Sequence, residues 1–124
     1  MQIDMGTLMG GEANDRLKST EEKAAMSHET EEQKLYHKAL IAWGINSQVL
    51  TCIAECGELI AALPQYFFRG RLDAATVAAQ VADVEIMCGQ MRVLLGEGLV
   101  DLAKAEKLSR LANSLHWQER ANGR

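Results

Sequence analysis

The sequence predicts an all-α fold, a helical bundle of about four helices, on three observations. Alanine and leucine abound, there is one proline in 124 residues, and β-branched runs are scarce, so helix is the default conformation. Apolar residues recur at spacings of three and four from Leu35 to Leu115. Capping signals and glycine or proline breaks then divide that span into four stretches. A chain that is 48% hydrophobic and 24% charged has the composition of one compact folded domain rather than of a disordered one.

Residues 1–30 differ from the rest. They hold Gly6, Gly10 and Gly11, many charges and no sustained apolar period, and are expected to form a polar arm. Ser19 and Glu22 have capping-box spacing, so a short helix is expected after Ser19. The helical domain is expected over residues 31–118, followed by a frayed tail over 119–124. Thr30 and Gln33 form a second capping signal, which opens a helix carrying Leu35, Tyr36, Ala39, Leu40 and Trp43 on its apolar face. Gly44 breaks it. The second helix is expected over residues 45–63, with Ile45, Val49, Cys52, Cys56, Leu59 and Leu63 as its stripe. Pro64 is expected to end it, because the residue before a proline is pushed away from helical geometry.

Asp73 is placed to cap a third helix over residues 74–95, with Val77, Val81, Val84, Cys88, Met91 and Leu95 as its stripe. Ala79, Ala82 and Ile86 lie on its other side. A helix apolar on two faces is usually covered by a second layer or a partner subunit. After Gly96 and Gly98, a last helix is expected over residues 99–117, with Leu108, Leu111 and Leu115 turned inward and Lys104, Lys107 and Arg110 among its polar positions.

Charge and composition exclude some functions. A formal net charge of −4 argues against a broad nucleic-acid-binding face, which needs clustered lysine and arginine. A nucleotide substrate stays open if a divalent cation screens its phosphates. No segment reaches the ~20 apolar residues of a membrane span, and the first residues lack the pattern of a secretory signal. Cys52, Cys56 and Cys88 form no C-x-x-C pair, which fits a reducing compartment, and buried helical thiols are expected rather than a zinc or redox site. A cytoplasmic protein without a membrane or nucleic-acid-polymer partner is the expectation.

The chemistry is expected where two polar pairs meet. Glu55 and Glu58 are three residues apart on the second helix, beside its stripe and on the same flank as Gln48. Gln80 and Asp83 repeat that arrangement on the third. If the two helices pack antiparallel, four oxygen-bearing side chains converge at the edge of the core, a ligand set suited to Mg²⁺. Such pairs are also commonplace on solvated helix faces, and spacing alone leaves both readings open.

The segment from Trp43 to Met91 resembles the core of MazG-like nucleotide pyrophosphohydrolases, whose hallmark is E-E-x-x-E on one helix and E-x-x-D on the next. Here these read Ala54-Glu55-Cys56-Gly57-Glu58 and Gln80-Val81-Ala82-Asp83, within the surroundings WGINSQ, GELIAAL, YFFRGR and VADVEIM. The similarity covers residues 35–115 and departs from the pattern at Ala54 and Gln80. It implies Mg²⁺, with Mn²⁺ as a substitute, held by Glu55, Glu58 and Asp83 and more weakly by Gln80. Glu55 or Glu58 would act as the catalytic base in hydrolysis of a nucleoside triphosphate to the monophosphate and pyrophosphate. Lys107 and Arg110, in a stretch similar to the family's basic segment, are the implied phosphate contacts, with Lys104 behind them. Arg69 and Arg71 are a second candidate clamp. A homodimer or homotetramer is implied too.

Trp43, His37 and Tyr66 are the available lining for a base pocket; Trp43 is read as core, and His37 is given no catalytic role. Glu85 points away from Asp83 and is a poor replacement for the lost carboxylates. The two departures support an alternative, a non-catalytic helical oligomer that binds metal, nucleotide or a protein partner. A phosphoribosyl-ATP pyrophosphatase is a more distant alternative that no residue selects.

Overall fold

The computed structural model describes residues 29–123. Most of the expected arm, including the Ser19–Glu22 signal, lies outside them. Among the described residues there are four helices and no strand: α1 (Glu31–Trp43), α2 (Ile45–Phe67), α3 (Ala74–Leu95) and α4 (Glu97–Ala121). The all-α expectation therefore holds.

The start of α1 is fixed by the expected capping box. The Gln33 amide donates to Thr30 Oγ1 at 3.1 Å, and the Thr30 amide donates to Gln33 Oε1 at 2.9 Å. Two of the amides that a helix start leaves unpartnered are thereby satisfied. Gly44 serves both of its neighbours: its amide donates to Leu40 O at 3.0 Å, and its carbonyl accepts from the Gln48 amide at 3.2 Å. Its φ of 90° suits glycine and lets the chain bend by 114° between α1 and α2.

Pro64 does not end α2. The helix runs on to Phe67 with the proline inside it. Pro64 has no amide to give the Ile60 carbonyl, but bonding resumes at once, with the amides of Phe68 and Arg69 donating to Pro64 O at 3.0 and 3.2 Å. Ala62 is buried, and Gln65 and Tyr66 are half-buried, at helical spacing from one another. Keeping that face covered holds the last turn helical against the proline. The loop that follows is short, and Asp73 Oδ1 accepts from the Thr76 amide at 2.7 Å to cap α3. The Thr76 side chain first, and this backbone bond second, hold the Asp73 carboxyl below its ordinary pKa.

Leu40, Val93 and Leu94 form the buried core, with Tyr36, Ile45, Val49 and Met91 packed against it. The C-terminal part of α3 is thus covered by both α1 and the start of α2. Gly89 marks the closest approach: a Cβ there would lie 2.8 and 2.9 Å from Cζ and Cδ2 of Tyr36. Seating the tyrosine ring on this glycine rotates α3 from the expected orientation by about one residue. Val77, Met87, Gln90, Val93 and Leu94 are buried and Gln80, Val84 and Met91 half-buried, whereas Cys88 and Leu95, expected in the stripe, are exposed. On α2 the covered face includes Gln48, Cys52, Glu55, Leu59 and Ala62, while Leu63 lies at its margin. On α1 it includes His37 and Leu40, whereas Trp43, read as core, is 67% exposed. His37 Nδ1 lies 3.7 Å from Oε1 of Glu29.

The chain divides into two compact units at Leu94. The second unit contains α4, whose residues from Asp101 onward are all exposed. The expectation that its leucines turn inward is overturned: Leu108, Leu111 and Leu115 are 53%, 55% and 52% exposed. The helix also begins earlier and ends later than expected, at Glu97 and Ala121, so residues 119–121 of the expected tail are helical. No single helix among the described residues is long and apolar enough to cross a membrane.

Candidate carboxylate site

The core sets the register of α2 against α3. Val49 and Met91 both pack on the Leu40–Val93–Leu94 cluster. Moving forward along α2 and backward along α3 brings Cys52 opposite Cys88, and then Glu55 and Glu58 opposite Gln80 and Asp83. Glu55 is half-buried in line with Gln48, Cys52 and Leu59, so it lies within the covered face rather than beside it. Gln80 holds the equivalent place on α3, while Glu58 and Asp83 are exposed at the rim. The four expected residues therefore fall into an inner pair, Glu55 and Gln80, and an outer pair, Glu58 and Asp83.

Electrostatics ties three of them together. Burial raises the pKa of the Glu55 carboxyl, and the negative charges of Glu58 and Asp83 raise it further. Both charges acting on Glu55 are acidic, so a bound cation would relieve the repulsion among the three carboxylates. Oε2 of Glu55 and Oε1 of Gln80 are buried without a hydrogen-bond partner. Orphaned acceptors of this kind cost stability unless a proton, water or cation satisfies them. Carboxylates and an amide carbonyl are hard oxygen donors, so the residues present fit a hard divalent cation. Among the described residues, no three His, Cys, Asp or Glu side chains are already gathered into a metal cage.

Other expected residues have separate positions. Ala54, where the family pattern has a carboxylate, is exposed. Arg69 and Arg71 are exposed just after α2, and Lys104, Lys107 and Arg110 are exposed on α4, in the second unit. Tyr66 is half-buried, with its ring edge-on to Phe67 at 4.9 Å between centroids.

Three features escaped the sequence reading. Gln48 and Gln90 are buried polar residues, and Gln90 Oε1 has no partner. His37 is buried beside Glu29. Burial first, and then the neighbouring Cys56 and Cys88 thiols, push the pKa of Cys52 up to about 11. Only the pairing register could have related Cys52 and Cys56 to Cys88, because neither is close to it in sequence.

Comparison with protein-family models, with curated proteins and with solved structures gave no match.

Proposed function

We propose that the chain is a Mg²⁺-dependent nucleoside triphosphate pyrophosphohydrolase of the MazG-like kind, acting on nucleotides as a homo-oligomer. The observation that carries this reading is the half-buried Glu55, with an unpartnered oxygen and the acidic Glu58 and Asp83 acting on its carboxyl. Glu55, Glu58 and Asp83 would hold the cation, with Gln80 as a neutral fourth donor. When bound, Mg²⁺ supplies charge neutralisation for the phosphates and lowers the pKa of a bound water. Glu55 or Glu58 orients the attacking water and takes its proton. Lys107, Arg110 and Arg69 are the candidate phosphate contacts.

A second reading, a non-catalytic binding module, is favoured by Ala54 and by the uncharged Gln80, which together remove two carboxylates from the family's set. Pyrophosphate release from a panel of standard and modified nucleoside triphosphates, with Mg²⁺ or Mn²⁺, separates the two. The enzyme reading expects turnover that Asp83→Asn and Glu58→Gln each abolish, with helical circular dichroism unchanged. Absence of turnover across the panel in a folded oligomer favours the binding module. Full activity in both variants means that the site lies elsewhere.

A further inference from the structure

α4 has no buried residue, and every position from Asp101 to its end is exposed. Most helical stability in folded proteins comes from packing an apolar face, and among the described residues nothing covers this one. Leu108, Leu111 and Leu115 stand at spacings of three and four, each a little over half exposed, as the seam of a helix pair does before it is paired. Lys104 continues that seam on the N-terminal side and Gln118 on the C-terminal side. Ala105, Ala112 and Glu119 recur every seven residues along one flank of it.

We propose that α4 pairs antiparallel with α4 of a second copy of this chain, about a two-fold axis between Leu108 and Leu111. The pairing rests on the homo-oligomer part of the functional reading and not on its chemistry. Charge chooses the direction. In a parallel pair each seam residue meets its own counterpart, so Lys104 faces the partner's Lys104 and two like charges flank the leucines. In the antiparallel pair Leu108 meets the partner's Leu111, and Leu115 meets the aliphatic stem of the partner's Lys104. The ammonium of Lys104 then lies one turn from the partner's Glu119, an opposite charge. On the flank Ala105 meets the partner's Ala112, and two methyl side chains leave the backbones free to approach. Every contact occurs twice by symmetry. The surface is thus complementary to itself, which a closed two-fold pair requires and an unrelated partner does not. Three leucines a side fall short of the roughly 800 Å² per partner of a standard interface. The helix pair therefore adds to contacts made elsewhere, for which the exposed Leu50, Ile53 and Ile60 of α2 are available.

The test is the mass of the full chain in solution, measured by light scattering over a range of concentrations at low salt, where surface charges are least screened. Leu111→Glu should raise the dissociation constant at least about tenfold, because each pair then buries two unpaired carboxylates. Lys104→Glu and Glu119→Lys should each weaken association several-fold, and the double variant should restore it. Positions 104 and 119 lie about 22 Å apart along one helix, so only a contact between chains gives that rescue. Circular dichroism checks that the helices persist, and the charge variants, at exposed positions, keep the test open should Leu111→Glu lose its helix. A wild-type oligomer whose mass Leu111→Glu leaves unchanged overturns the α4 pair while the homo-oligomer stands. A monomeric wild type overturns both. Weakening in the single charge variants without rescue in the double one overturns the antiparallel register.

Discussion

Glu55 carries two demands at once: it occupies the covered face of α2, and it is the carboxylate whose neighbours are acidic. Burial first, then Glu58 and Asp83, hold its folded pKa above the ordinary value. A group shifted in that direction contributes stability that is fully present below its unfolded pKa, roughly 4.3, and is lost as pH rises through the folded value. At neutral pH the ionised Glu55 therefore works against the fold unless a cation balances it. Glu55→Gln, measured in chelator, should raise the melting midpoint at neutral pH, and the gain should shrink as the pH falls and the wild-type carboxyl takes up its proton. Adding Mg²⁺ should raise the midpoint of the wild type and leave that of the variant unchanged. An equal loss of stability at neutral and at acid pH would mean that the side chain matters for packing and not for charge. The four polar positions were legible in the sequence because each pair is three apart on its helix. Their division into inner and outer pairs was not, since it depends on how far each helix is rotated.

Rotation is decided at the level of the helix, and on α3 by Gly89. Two stripes, one through Val81, Cys88 and Leu95 and the other through Gln80, Met87 and Leu94, fit helical spacing almost equally well. The sequence alone cannot choose between them. The Tyr36 ring lies where a Cβ at position 89 would be, so α1 approaches α3 closely there, beside the Leu40–Val93–Leu94 core. Gly89→Ala should cost about 1–3 kcal/mol in chemical denaturation, as overpacking of a close contact does. Most of that cost should disappear when Tyr36→Ala is added, giving a coupling between the two sites. Additive losses would place the α1–α3 contact elsewhere. Features that depend on a few adjacent residues, such as the Thr30–Gln33 box and the Asp73 cap, were fully legible. Pro64 was misjudged because its penalty is local, whereas the burial of Ala62, Gln65 and Tyr66 that overrides it is tertiary. The leucines of α4 were misjudged for the converse reason: an apolar stripe records that something covers it, not which surface does.

At the scale of the whole molecule, too much apolar surface is left uncovered. Leu50, Ile53, Ile60 and Phe67 recur along the outer face of α2 at coiled-coil spacing, and all four are exposed. Contiguous exposed patches of this kind mark association surfaces. Gly57 falls in the same row, has no atom within 4 Å of its virtual Cβ, and shows no positive φ, so nothing among the described residues requires a glycine there. A glycine in mid-helix costs about 1 kcal/mol relative to alanine, and close approach of a partner backbone would offset it. The outer face of α2 is therefore the predicted contact between copies of this chain. Light scattering should give a mass that is a whole multiple of 13.6 kDa, at least twofold, and Ile53→Glu with Ile60→Glu should bring it down to one chain. Gly57→Ala separates the two roles of the glycine. If the partner packs closely, association weakens despite the gain in helix propensity. If position 57 faces only solvent, the variant is simply more stable and its mass is unchanged.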